Sequence, residues 1–299
     1  MITSVERWYR TRTTSFEDWP KERVAALKLD SELKVSLLLR TGNVSAAGPE
    51  QFLSGGLVDE VIEVAPRTTA YGALAQPPSP ASAPCGAAPD QGWGTQLSRA
   101  LADAAGDVIV MIDTRQTVNY AECLPALIGQ SLANQDVKLV KGFSVDGSSA
   151  DLQHDQVTEL VVRPILSLDW PELTGLIDPL SGDWSARREL LDEVPIPVGN
   201  GIALSLPLDC YELYGLSAIA QVGVRTQRVA NPGDPGLALF ATELYAAANR
   251  RRDTSTFERI EPAGRELVSF AYSSAILRRQ RLHTVELAPL NARRANRTG

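Results

Sequence analysis

Four short runs of apolar residues divide the first half of the chain: KVSLLL from Lys34 to Leu39, VDEVIEV from Val58 to Val64, DVIVMI from Asp107 to Ile112, and VKLVKGF from Val137 to Phe143. Strands buried on both faces read as near-continuous Val/Ile/Leu stretches, so these four predict a parallel sheet. Between the last two, Leu124, Leu127, Ile128 and Leu132 recur at spacings of three and four and predict a crossover helix; Leu97, Leu101 and Ala104 predict another. The pattern is that of a doubly wound α/β half-domain. From Gln76 to Gly92 five prolines stand among small residues and predict a surface loop. Beyond residue 150, Val157, Leu160, Val161, Ile165 and Leu168 predict a helix crossing Pro164. A Gly182-Asp183-Trp184 turn then leads to a helix near Ala186 to Leu191, and a further helix spans about Gly201 to Gly215. A strand follows near Ala218 to Val224, and the last hundred residues read as mostly helical.

The 299 residues, 44% of them hydrophobic, are enough for a large core. No apolar run is long enough for a membrane span, and the charged stretch Met1 to Thr14 lacks the apolar segment of a secretion signal, so a cytoplasmic location is expected. Cys85, Cys123 and Cys210 are widely spaced and suit isolated structural thiols rather than a disulfide framework or a thiolate metal site. The net charge of -7 is unevenly placed: residues 250–299 hold 11 arginines against five acidic residues, leaving an acidic body and a basic tail. Those arginines lack interleaved aromatic residues, so a solvated face or a partner contact is expected and nucleic acid is not. There is no GxGxxG after the first strand, no P-loop, no GxSxG and no HExxH.

Several stretches together resemble glucosyl-3-phosphoglycerate synthase: LVDEVIEV (57–64), AGDVIVMID (105–113), VKLVKGF (137–143), VTELVVRPIL (157–166), WPEL (170–173), PLSGDWSARRELL (179–191) and GLSAIAQVGVR (215–225). The resemblance runs over roughly residues 5 to 230. It implies a GT-A fold, a mixed and mostly parallel sheet flanked by helices, in a catalytic-type domain over 1–230. Residues 231–299 would be a helical, basic C-terminal extension. It further implies a retaining glucosyltransferase using a nucleotide-sugar donor and a divalent metal, and a homodimer whose contact the extension helps to form.

The family's functional motifs are altered here. Its Pro-Ala-Leu-Asn-Glu turn at the donor nucleoside is Arg40, Thr41, Gly42, Asn43, Val44, and its Asp-Ser-Gly-Ser-Thr turn is Ala65, Pro66, Arg67, Thr68, Thr69. Its Gly-Lys-Gly is Gly92, Trp93, Gly94; its Asp-x-Asp is Asp113, Thr114, Arg115; and its histidine ligand falls at Gln227. On the acceptor side the residues are Gln153, His154, Asp155, Gln156, Val157, Thr158, Glu159. The Gly-Tyr-Gly-Val-Glu stretch is Gly199, Asn200, Gly201, Ile202, Ala203.

Arg40, Arg67 and Arg115 each follow a strand candidate, where open α/β sheets bind ligands, and rigid guanidinium forks suit a diphosphate. Arg115 is therefore expected to stand in for the cation, with no metal cofactor, and Arg115 and Asp113 are the catalytic candidates. Arg40, Asn43, Arg67, Trp93, Asp113 and Arg115 are candidates for holding the donor. Trp93 can stack a ring or pack, and Asp113 can meet a ribose hydroxyl or cap the chain. His154, Gln156, Thr158, Asp183, Trp184 and Asn200 are the substrate-side candidates, with His154 either an acid–base group or an exposed loop residue. The expectation is a metal-independent transferase acting on an anionic donor such as a nucleotide sugar, cyclitol or sugar phosphate, and not phosphoglycerate glucosylation; the alternative is a non-catalytic pseudo-glycosyltransferase.

Overall fold

The computed structural model describes residues 2–40, 50–53, 55–64, 92–114, 120–145, 156–225, 236–252, 266–271, 276–281, 286–287 and 291. The elements, in chain order, are α1 (Ile2–Arg12), β1 (Thr13–Ser15), α2 (Lys21–Ser31), β2 (Val35–Arg40), α3 (Glu50–Leu53), β3 (Glu60–Glu63), α4 (Trp93–Asp103) and β4 (Val108–Asp113). Then come α5 (Tyr120–Ala133), β5 (Leu139–Ser144), α6 (Arg163–Asp169), β6 (Trp184–Arg187), α7 (Arg188–Glu193), β7 (Ile196–Pro197) and α8 (Ile202–Tyr214). The last are β8 (Ile219–Val224), α9 (Leu237–Arg251), β9 (Glu266–Ala271), β10 (Ile276–Arg281) and β11 (Glu286–Leu287).

Alternation along the strands decides the layers, because successive side chains of a strand point to opposite faces. Leu37 and Leu39 of β2 and Val108, Val110 and Ile112 of β4 enter one apolar layer with Trp19, Val24 and the α5 residues Leu124, Leu127 and Ile128. Leu38, Ile109 and Met111, one position out of phase, enter the other with Leu97 and Leu101 of α4 and Leu204 of α8. The seven-stranded sheet has the order β1-β8-β5-β6-β4-β2-β3. Its pairs are parallel except those of β6, which runs antiparallel between β4 and β5. The mixed, mostly parallel α/β architecture is the expected one.

Three segments differ from the sequence-based expectation. Trp184 to Arg187 is strand rather than turn and helix, and all four residues are buried. Tertiary partners explain this: Ser185 Oγ donates to Leu127 O at 2.9 Å, and Arg187 Nη2 donates to Ser131 O at 2.7 Å. Helix α7 begins at Arg188, whose guanidinium reaches the carbonyls of Leu101 (3.5 Å) in the last turn of α4, of its cap Ala104 (2.8 Å) and of Gly106 (2.6 Å) just beyond. Residues Thr158–Val162 form a π-helical turn before α6, so the helix expected to run through Pro164 changes its winding, with Pro164 in the first turn of α6 where its missing N–H costs nothing. Within residues 231–299, expected to be helical, α9 is a helix but β9 and β10 pair as antiparallel strands.

Helix α9 contributes Leu244 and Ala248 to the same apolar layer as Leu204. Its Arg251, with a nearly buried side chain, donates to Asp209 (2.6 and 2.8 Å) and to Glu286 (2.7 Å), tying α8, α9 and β11 together. Among the described residues no helix is long and apolar enough to cross a membrane.

Candidate active site at the carboxyl end of the sheet

Register brings the first two site residues together. Arg40 ends β2 and Asp113 ends β4, the strands are parallel neighbours, and the two residues are paired across them. Arg40 Nη1 lies 3.5 Å from Asp113 Oδ2, an ion pair in which the carboxylate is almost fully covered. The other face of the guanidinium environment is an indole: Arg40 Cζ stands 3.8 Å from the centroid of the Trp93 ring, a cation–π distance. Arg40 O in turn accepts from Thr114 N and Thr114 Oγ1, both at 3.0 Å, fixing the backbone at the strand end.

Antiparallel β6 delivers the second carboxylate. Met111 pairs with Trp184, so the preceding Asp183 arrives beside the end of β4, where its Oδ1 accepts from Asp113 N at 2.9 Å. Gly182 eases this approach, since a Cβ there would lie 3.1 Å from Asp113 Cβ, a tight contact. The local field is negative enough to be felt by Tyr120: burial raises its phenol, its hydrogen bond to Thr114 O opposes the shift, and Asp183 and Asp113 add to it.

Trp93 is placed by the first turn of α4, which docks on the residues after β7. Gly94 N donates to Gly199 O and Thr95 N to Val198 O, both at 3.2 Å. These bonds absorb amides that a helix start leaves open. Asn200 follows in the same turn and is held from α9, where buried Glu243 accepts from Asn200 N (2.8 Å) and Nδ2 (2.9 Å). Arg40, Trp93, Asp113 and Asp183 therefore form one group, with Asn200 linked to it through the start of α4.

Among the other sequence candidates, Trp184 is buried in the apolar layer and serves as packing. Gln156 is exposed and Thr158 is buried at the head of the π-helical turn. Nothing among the described contacts ties either to the Arg40–Asp183 group. Asn43, Arg67, Arg115 and His154 lie outside the described residues. Cys123 and Cys210 are buried free thiols, as expected of structural cysteines; Cys85 lies outside the described residues. Burial pushes the Cys123 thiol well up and the Cys210 thiol to about 12.

Among the described residues, three buried charged ones, Lys141, Arg187 and Glu243, are absent from the sequence candidates, and two of them support the site. Lys141, in the middle of β5, is fully covered and its Nζ donates to Ser181 O at 2.7 Å, just ahead of Asp183. A lysine inside a strand whose neighbours are buried on both faces was the available signal. Glu243 carried a similar one, standing between Phe240 and Ala247 at helical spacings of three and four on an otherwise apolar face of α9.

The donor set fits a hard divalent cation. Among the described residues no three His, Cys, Asp or Glu side chains cluster as ligands. A magnesium-type site, however, uses one or two carboxylates and completes its shell with substrate phosphates and water. Asp113 and Asp183 are such a pair, with the charge of Arg40 leaving the group net negative.

No family model matches the chain. A relative from Mycolicibacterium smegmatis, glucosyl-3-phosphoglycerate synthase, is 38% identical over 189 residues, 59% of this chain and 62% of that protein. The match thus spans less than two thirds of that curated relative. The Mycobacterium tuberculosis glucosyl-3-phosphoglycerate synthase solved with Mn2+ and UDP-glucose superposes with a TM-score of 0.70 at 26% identity, covering 92% of this chain and 95% of that one. The same enzyme with phosphoglyceric acid gives 0.73 at 27% identity over 94% of this chain and 98% of that one. The GT-A fold expected from the sequence is the fold found. Two expectations are corrected by these likenesses. The reading as a metal-independent transferase distinct from glucosyl-3-phosphoglycerate synthase gives way because the sequence relatives and the two solved structures above are that enzyme, and its non-catalytic alternative is no better supported. The reading without a metal gives way because the neighbours hold Mn2+ together with their nucleotide. Physically, a divalent cation of this type needs only one or two protein carboxylates, because substrate phosphates and water complete its shell.

Proposed function

We propose that this chain, a GT-A glycosyltransferase like glucosyl-3-phosphoglycerate synthase, transfers a glucosyl unit from a uridine-diphosphate donor to a phosphoglycerate-type acceptor with the help of a divalent cation. The observation that carries the reading is the meeting of Asp113 and Asp183 at the carboxyl end of the central strands, in a fold that superposes over nine-tenths of its length on an enzyme solved with that donor and with Mn2+. Asp113 and Asp183 would hold the cation, which supplies charge neutralisation to the departing diphosphate when bound.

The chain's own residues then orient and shield. Trp93 offers an aromatic surface where the family has a lysine, and Arg40 adds a fixed positive charge beside it. Asn200, fastened by Glu243, fixes the residues after β7 on which the start of α4 docks. Buried Lys141 fixes the Ser181 carbonyl and with it the segment that carries Asp183. The basic C-terminal residues complement an acidic body, which supports a homodimer; sedimentation of the full chain at 32.3 kDa instead of twice that mass would remove this part of the proposal.

The test is direct. Purified protein is incubated with UDP-glucose, 3-phosphoglycerate and Mg2+ or Mn2+, and UDP release is followed alongside the glucosylated product. Multiple turnovers that stop on chelation and fall at least about a hundredfold in Asp113→Asn are expected. Absence of product from a folded protein that binds neither donor nor acceptor would overturn the proposal.

A further inference from the structure

We propose that Arg40 is a built-in competitor for the divalent cation, so that the metal enters only when the Arg40–Asp113 ion pair opens. The inference rests on the metal reading given above and goes beyond it by assigning a residue that sets when the metal binds. Three observations carry it. Arg40 and Asp113 are paired across adjacent parallel strands, so their side chains leave the sheet edge as neighbours. The guanidinium lies 3.5 Å from Asp113 Oδ2, on a carboxylate that is only 3% exposed and therefore has little surface left from which a cation can approach. The guanidinium is also held against the Trp93 ring, 3.8 Å from its centroid, so the pairing is preorganised rather than one of many rotamers of a free arginine.

A cation and a guanidinium on the same carboxylate oxygen repel each other, so each weakens the other's hold on Asp113. An incoming nucleoside diphosphate changes the balance, because its phosphates offer Arg40 a bidentate partner and the cation additional oxygen ligands at the same time. Nucleotide and metal should therefore bind with positive coupling, and Arg40 should be its source. In the absence of nucleotide the ion pair keeps the site closed to metal; with nucleotide present Arg40 transfers to phosphate and Asp113 is released. The linkage is reciprocal, so metal should tighten the nucleotide by the same factor.

The experiment measures Mn2+ affinity by the loss of the free-ion electron paramagnetic resonance signal, with Mn2+ alone and with saturating UDP, for the wild type, Arg40→Gln, Arg40→Lys and Asp113→Asn. Removing the charge in Arg40→Gln should tighten Mn2+ alone about tenfold, an effect the size expected of one partly exposed charge. It should also shrink the tightening by UDP by about the same factor. Arg40→Lys keeps the charge and should stay within about threefold of the wild type in Mn2+ alone. Asp113→Asn should weaken Mn2+ in every condition. If Arg40→Gln binds Mn2+ alone no better than the wild type while Asp113→Asn loses it, the competitor role is overturned and the metal site stands. If neither wild type nor Arg40→Gln binds Mn2+ with or without UDP, the metal reading fails and the inference with it. Thermal unfolding of each variant without ligand confirms that a change in affinity comes from a folded protein.

Discussion

Replacing Gly94 by alanine tests how the site is held open, because two principles give the change opposite signs. In the first turn of a helix, alanine is worth about 1 kcal/mol more than glycine, so an unencumbered Gly94→Ala would stabilise α4. The geometry says otherwise: a Cβ at Gly94 would lie 1.6 Å from Pro197 O, 2.8 Å from its carbonyl carbon and 3.1 Å from Gly199 O. Ordinary carbon–oxygen contact is about 3.3 Å, so the start of α4 and the end of β7 would have to part by about 1.7 Å. Both groups are backbone and cannot swing aside. The separation breaks the bonds from Gly94 N to Gly199 O and from Thr95 N to Val198 O. Two lost bonds at about 1–2 kcal/mol each, less the helix gain, leave a net destabilisation of about 1–3 kcal/mol. For a chain of this length that is a fall in melting temperature of roughly 2–5 °C. Because the two segments forced apart carry Trp93 and Asn200, the stabilisation of the protein by UDP with Mn2+ should shrink as well. Scanning calorimetry of both proteins, with and without ligand, decides it. An unchanged or raised melting temperature in Gly94→Ala would refute the close approach of α4 to the residues after β7.

Arg188→Ala removes the contacts to Gly106, Ala104 and Leu101 carbonyls and should cost about 2–3 kcal/mol in urea unfolding, with an unchanged midpoint counting against the capping role. Acid sensitivity should come from Glu60 and Asp59. Burial alone would raise both carboxyls, but bonds from Ser36, Ala105 and Gly106 hold Glu60 below its ordinary value, while Lys28 and Val35 do the same for Asp59. Their stabilisation is therefore complete above the unfolded carboxylate range of about 4 and is lost as pH falls through the lower folded values. Glu60→Gln should flatten the stability profile below about pH 4, and an unaltered profile would contradict the assignment. Cys123 and Cys210 should resist iodoacetamide at pH 8 until the protein unfolds, because their buried thiols stay protonated; peptide mapping that finds either labelled at the rate of a free thiol would count against this.

What the sequence determined by itself is the set of strands and helices whose periodicity is enforced by burial on both faces. Lys34 to Leu39 and Asp107 to Ile112 could be read correctly within a residue because β2 and β4 are apolar on both sides and flanked by polar turns. It also determined that Arg40 and Asp113 sit at strand ends, since strand boundaries follow from the same pattern. What only the tertiary structure decided is who stands beside whom. That Arg40 pairs with Asp113 depends on β2 and β4 being neighbours in one register, a long-range choice that leaves no local trace. That Asp183 joins them depends on Trp184 to Arg187 entering the sheet antiparallel, a short segment with no strand periodicity whose conformation is dictated by partners in α5, β4 and β5. Glu243 and Lys141 show the same limit. Each is a charge in an apolar context, readable as an anomaly, but its role is fixed by a partner 43 residues away in the first case and 40 in the second. Local sequence sets propensity and burial; the site is made where distant segments meet, and that is decided by packing.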